Sequence, residues 1–218
     1  MKQRYSLFLS MVVCLLPAVL AGPSTGSPVS SASPFDPLHV LISLIPKDKV
    51  FEIERNHLEH DEGFKSAVKF LQSKNWTDLV DSVLSSKEYK MFHNMTRKYN
   101  FKLYEAVTCL REHIESLKIE GPLLAPPNLA SFISDLEAII PIPEIAKMLA
   151  TGLRDPQIVK LRSEIASKEN KKIAETLHKM PQMKKMRAIL REMKFDVDTY
   201  ISMVYTFLGW GSPLFRVV

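Results

Sequence analysis

LHVLISLIPKDKV (residues 38–50) is answered later in the chain by ISDLEAIIPIPEI (residues 133–145), with apolar residues and proline in the same places. Leu38, Leu41, Leu44, Ile45, Pro46 and Val50 correspond to Ile133, Leu136, Ile139, Ile140, Pro141 and Ile145, an offset of 141 − 46 = 95. A second pair of anchors lies far from the first. Tyr99-Asn100-Phe101-Lys102-Leu103 matches Met193-Lys194-Phe195-Asp196-Val197 at an offset of 195 − 101 = 94. One single-residue gap reconciles the two. The chain therefore reads as two copies of one plan. Each copy carries an apolar face it cannot bury alone, so packing copy against copy is the economical solution.

The period within each copy is helical. Phe64, Ala67, Val68 and Leu71 mark one amphipathic helix; Trp76, Leu79, Val80 and Val83 mark the next. Met91, Phe92, Met95 and Tyr99 follow, then Leu103, Tyr104, Val107 and Leu110. In the second copy the series is Ile133 to Ile140, Pro143 to Leu153, then Ile158, Leu161 and Ile165. Ile173 and Leu177 follow, and Pro181 opens a helix carrying Met183, Met186, Leu190 and Met193. Tyr200, Ile201, Val204 and Leu208 close the set before Gly209-Trp210-Gly211. The alternation expected of strands is absent, so the fold class is all-α, with about six short helices per copy. Ser85-Ser86 is a helix cap, and Asp155-Pro156 places an N-cap before a first-turn proline. Gly121-Pro122-Leu123-Leu124-Ala125-Pro126-Pro127 is a linker that proline bars from continuous helix.

The expected organisation is a signal peptide over residues 1–21, a flexible Pro/Ser-rich leader over 22–34, and repeat 1 over 35–120. The linker at 121–127 and repeat 2 over 128–211 complete one domain spanning 35–211. Lys2 and Arg4 before the apolar run Leu7 to Leu20, with Ala21 at the cut, carry the signal-peptide reading. Cleavage removes two of the 29 basic residues against 24 acidic ones, leaving 27 − 24 = +3. Cys14 leaves as well, so Cys109 stands alone among Ala106, Val107 and Leu110 and no internal disulfide can form. No Lys/Arg stripe with interleaved aromatics points to nucleic acid.

No constellation for catalysis stands out, so the expectation is a protein that is not an enzyme and needs no cofactor or metal. His57-x-x-His60-Asp61-Glu62 has ligating residue types without metal-site spacing, and reads as a solvated helix end. Asn75-Trp76-Thr77 and Asn94-Met95-Thr96 are N-glycosylation sequons. Lys184, Arg187, Arg191 and Lys194 form a basic stripe beside the Met183 to Met193 stripe, a pattern that could steer the protein to anionic membrane. An ordinary core helix with a solvated basic side explains it more simply.

The tandem plan resembles the insect allergen-related repeat proteins, a family that includes cockroach midgut allergens, microvillar proteins of blood-feeding flies and butterfly nitrile-specifier proteins. The resemblance rests on Leu41-x-x-Leu44-Ile45-Pro46 and Leu136-x-x-Ile139-Ile140-Pro141, on Phe64 to Leu71 with its Ser73 stop, and on Phe195-Asp196-Val197-Asp198 leading to Phe207-Leu208-Gly209-Trp210. The first copy departs from it, lacking the Leu-Gly-Trp ending after Leu110. The resemblance implies an all-helical capsule around a large apolar cavity, holding fatty acids or phospholipid, secreted into the gut lumen or onto its microvilli. The candidate lining is then Phe64, Leu71, Leu79, Val83, Phe92, Phe101 and Val107 from copy one. From copy two it is Ile158, Ile165, Ile173, Leu177, Met186, Phe195 and Ile201. Rival readings are a membrane-active lipid exchanger, a nitrile-specifier protein and a structural component of the gut lining.

Overall fold

The computed structural model describes residues 46–99, 101, 103–141, 143–144, 147, 151, 154–211 and 213. The expected signal peptide and leader, the first-copy motif at 38–45, Asn100 and most of the 143–153 segment lie outside the described residues. The helices are α1 (Lys47–His60), α2 (Glu62–Leu71), α3 (Lys74–Leu84), α4 (Lys87–Arg97), α5 (Leu103–Ser116), α6 (Ala130–Ile139), α7 (Pro156–Ile165), α8 (Lys168–Lys179), α9 (Pro181–Glu192) and α10 (Val197–Phe207). Among the described residues there is no strand.

The helix starts keep a fixed spacing. From α2 to α7, α3 to α8, α4 to α9 and α5 to α10 the shift is 156 − 62 = 168 − 74 = 181 − 87 = 197 − 103 = 94. Local chemistry sets those starts. The Ser73 hydroxyl accepts from Trp76 N–H at 3.4 Å, and Ser167, 94 residues on, accepts from Asn170 N–H at 3.3 Å. Asp61 and Ser86 cap α2 and α4 in the same way, at 2.9 Å and 3.1 Å. Each such cap contributes about 1 kcal/mol by satisfying a first-turn amide. At α9 Pro181 takes the first helical place, where its missing N–H costs nothing.

Packing then crosses between the halves. α4 lies against α8, α3 against α9, and α1 against α6. Because the starts of α3 and α8, and of α4 and α9, keep the same spacing, the first two contacts are one pairing with the halves exchanged. Ser86 and Met180 occupy the same place in the spacing (180 − 86 = 94), and they touch, the hydroxyl 3.7 Å from Sδ.

The connection at 117–129 is tied down along its length. Gln72 Nε2 donates to the Ile114 and Leu117 carbonyls, both at 2.8 Å, and the Ser66 hydroxyl to Ala125 O at 2.6 Å. Asn128 N–H reaches Gly63 O at 2.9 Å, and Leu129 N–H reaches Met193 O at 2.8 Å. This close approach is why residue 63 is glycine. A Cβ there would stand 2.9 Å from the Asn128 Cβ.

Two helices end in the same hydrogen-bonded turn. After α9, Phe195 N–H bonds Leu190 O and Lys194 N–H bonds Arg191 O, with Lys194 at φ 65°. After α10, Trp210 N–H bonds Tyr205 O and Gly209 N–H bonds Thr206 O, with Gly209 at φ 72°. The turn needs a left-handed residue, which glycine supplies freely and lysine under strain. Gly63→Ala should therefore destabilise the protein by roughly 1–3 kcal/mol, through displacement of the Asn128 backbone. Lys194→Gly should stabilise it by up to about 1 kcal/mol, by relieving the left-handed strain. Urea unfolding midpoints of the two variants should move in opposite directions from wild type.

Candidate functional site

Among the described residues, three clusters of buried apolar side chains stand out. The first joins Phe64, Ala67, Val68, Leu129 and Met193, with Phe132, Ile189 and Phe195 against them. The second lies across the halves: Val83, Tyr89, Leu177 and Met180, with Phe92, Met183 and Met186 alongside. The third holds Ala174, Tyr205 and Trp210, with Phe92, Ile201 and Leu208. Trp210 closes that end, its ring edge-on to Tyr205 at 5.0 Å and its Nε1 donating to Ala166 O at 2.9 Å.

These clusters bring together part of the expected lining. Phe64 and Phe195 fall in the first, Val83, Phe92, Leu177 and Met186 in the second, and Ile201 in the third. Leu79 is buried but lines an outer groove instead. Leu71, Phe101, Val107, Ile158, Ile165 and Ile173 are only partly buried and join none of the three clusters. The methionine stripe of α9 is split as well: Met183 and Met186 go to the second cluster, Met193 to the first. Helix α5 is the extreme case. Ala106, Val107, Leu110 and Ile114 recur along one face, and none is fully buried.

The groove is open, about 810 Å³, between α3, α9 and the linker. Its apolar floor includes Phe70, Leu79, Pro126, Ile189 and Met193, and its rim carries Asn75, Asp78, Lys185 and Glu192. Asn75 and Asn94 are both exposed, as a glycosylated asparagine must be, whereas Thr96 of the second sequon is buried.

Two sequence expectations need correcting. His57 is not a solvated helix end: it is 5 % exposed. Its Nδ1 meets Asp61 Oδ2 at 2.9 Å and its Nε2 meets Asp135 Oδ2 at 3.0 Å, while the ring packs on Phe64 and Phe132. A pair of carboxylates satisfies both ring nitrogens and so permits burial. Burial tends to raise the Asp61 pKa, but hydrogen bonds from Ser131, Phe64 N–H and His57 hold it below the usual carboxylate value. The Asp61 contact was within reach of an i, i+4 reading; Asp135, 78 residues away, was not.

The second correction concerns the basic stripe. Lys184, Arg191 and Lys194 are exposed, but Arg187 is 5 % exposed and cannot steer the protein to a membrane. Its Nη1 pairs with Asp198 at 3.1 Å, its Nη2 donates to His178 O at 3.3 Å, and Arg191 reaches the other oxygen of Asp198. The carboxylate from α10 allows the guanidinium to turn inward.

The family model described as "Insect allergen related repeat, nitrile-specifier detoxification" matches residues 36–201. The chain belongs to the insect allergen-related repeat family. A search of curated proteins finds no match to it. In this family member the match runs through every described helix from α1 to the first residues of α10.

His178, buried beside Arg187, makes a pH-dependent contribution. Burial first, and the Arg187 charge second, push its pKa down from 6.5 to about 4. The unfolded chain takes up a proton near pH 6.5 that the folded chain refuses until about pH 4. Stability therefore falls as pH drops through that window. His178→Leu, which puts in the residue found at the equivalent place Leu84, should flatten the slope of unfolding free energy between pH 7 and about pH 4. Urea titrations across that range check it.

Proposed function

We propose that this family member is a secreted, non-enzymatic lipid carrier of the insect gut, holding acyl chains in its apolar interior. One observation carries the reading. Helix α5 presents a continuous apolar stripe of which no residue is fully buried, and the partly buried Phe101, Ile158, Ile165 and Ile173 behave likewise. In a close-packed core such residues would be covered by protein atoms. Apolar surface that the chain leaves partly uncovered is suited to an apolar guest. Met180, Met183 and Met186 at the seam between the halves favour a guest of variable shape, because unbranched thioethers adapt their rotamers. Each buried CH₂ is worth about 0.8 kcal/mol, so a dozen give on the order of 10 kcal/mol before the chain's own entropy is subtracted.

Protein taken from its native source, extracted with organic solvent and analysed by mass spectrometry, should release fatty acid or phospholipid. The delipidated chain should take lipid up again. No bound lipid together with no uptake would overturn the reading. The rival reading is the nitrile-specifier activity that the family description names. Incubation with myrosinase and a glucosinolate decides between them: a carrier leaves the product distribution unchanged, whereas accumulation of nitrile would replace the carrier reading.

A further inference from the structure

Two buried polar atoms on α4 lack a hydrogen-bond partner among the described residues: the hydroxyl of Tyr89, in the second cluster, and Nδ1 of His93 next to it. They stand four residues apart on α4, so they share one helix face, and their rings stack at 6.1 Å and 11°. Tyr89 is 8 % exposed. The pair is turned toward the start of α5, where the Tyr104 ring meets His93 edge-on at 6.1 Å. Around Tyr89 the cluster is apolar, formed by Val83, Leu177 and Met180.

The second half shows what becomes of the His93 place when the chain closes it itself. His93 corresponds to Arg187 (187 − 93 = 94) and Tyr104 to Asp198 (198 − 104 = 94). In the second half these are an ion pair at 3.1 Å. In the first half these positions are an imidazole and a phenol in ring contact, and His93 Nδ1 has no hydrogen-bond partner among the described residues. Tyr89 corresponds to Met183 (183 − 89 = 94), so the second half has no hydroxyl to satisfy at that place. Buried polar groups are nearly always paired, so an open pair facing a partly uncovered apolar helix calls for a partner from outside the chain.

We infer that Tyr89 and His93 are the polar anchor for an uncharged, oxygen-bearing head group on the bound lipid, an ester carbonyl with a free hydroxyl as in a monoacylglycerol. This rests on the lipid-carrier reading and adds the head-group class. The phenol donates to the carbonyl, and Nδ1 exchanges a hydrogen bond with the hydroxyl. The acyl chain then continues along Val107 and Leu110 of α5. Charge decides against a carboxylate here. Burial, then Tyr104 and Glu105, push the Tyr89 pKa up to about 12, so the phenol stays a donor while the nearby negative charge is Glu105. A buried carboxylate beside Glu105 would be both desolvated and repelled.

The test uses the full delipidated chain, titrated calorimetrically with monoolein, sodium oleate and hexadecane. Wild type should bind monoolein about tenfold more tightly than oleate, since a buried, repelled charge costs at least that much. Tyr89→Phe, which keeps the ring, should weaken monoolein binding roughly 5- to 10-fold, the worth of one buried hydrogen bond, and remove most of its advantage over hexadecane. Without lipid its melting temperature should be no lower than that of wild type, because the lost hydroxyl leaves no protein partner. His93→Phe, which preserves the stacking, should act in the same direction. Unchanged monoolein affinity in both variants, tighter binding of oleate than of monoolein, or a lower melting temperature of delipidated Tyr89→Phe would overturn the anchor while leaving a lipid carrier intact. Binding of none of the three ligands by wild type would overturn carrier and anchor together.

Discussion

The structure depends on the seam at which α4 meets α8 and α3 meets α9. These helices are short, eleven or twelve residues, too short to be stable alone in water. Each is amphipathic, and the cover for its apolar face comes largely from the other half. Val83 and Tyr89 are buried only because Leu177 and Met180 lie opposite. In a chain with one described cysteine, Cys109, as a free thiol, this non-covalent packing is what holds the halves together. The connection at 117–129 adds to it through backbone bonds at Gly63 and Met193 and through Leu129, buried in the first cluster.

Polar groups inside the protein follow a consistent rule. Where the chain buries a basic side chain, it supplies a carboxylate from a different helix. His57 on α1 is held by Asp135 on α6 as well as by Asp61 beside it, and Arg187 on α9 by Asp198 on α10. Asn170 is buried on the same terms, its amide reaching Tyr99 Oη at 2.9 Å and Glu164 O at 3.1 Å. Such contacts add little net stability, because desolvation offsets attraction, but breaking one leaves an uncompensated group and is costly. His57–Asp135 and Asn170–Tyr99 therefore act as register marks for how the halves meet, and Arg187–Asp198 for how α9 sits on α10. Tyr89 and His93 are the departure from the rule, which is what gives them functional interest.

Helical class and some of the helix starts and caps were legible in the residues, whereas Ser73, read as a stop, and Asp61, read as part of a solvated helix end, proved to be caps. Ser86 before Tyr89, Pro181 at its first-turn place and the Gly209-Trp210 ending act through contacts within five residues, and local contacts can be read along a chain. The correspondence of Phe101 with Phe195 is of the same kind, since it compares one local pattern with another. The expected lining was legible only as a set of inward-facing positions. Periodicity tells which side of a helix is apolar; it does not tell what lies opposite. That is why Leu79 faces a groove, why the α9 methionines divide between two clusters, and why Leu129 and Trp210 emerged as core residues only in the fold.

The sequence by itself determined a chain of short amphipathic helices, with starts repeated 94 residues apart and a proline-rich joint between two halves. Those properties depend on backbone propensity and on neighbours within one or two turns. Only the tertiary structure decided which basic side chains turn inward. Arg187 and His57 look like surface residues in any local reading, because burying either alone would cost several kcal/mol. Partners from other helices, Asp198 and Asp135, cancel that cost. The openness of Tyr89 and His93 was decided at the same level, since a missing partner is a property of the whole surrounding fold and of no single stretch of chain.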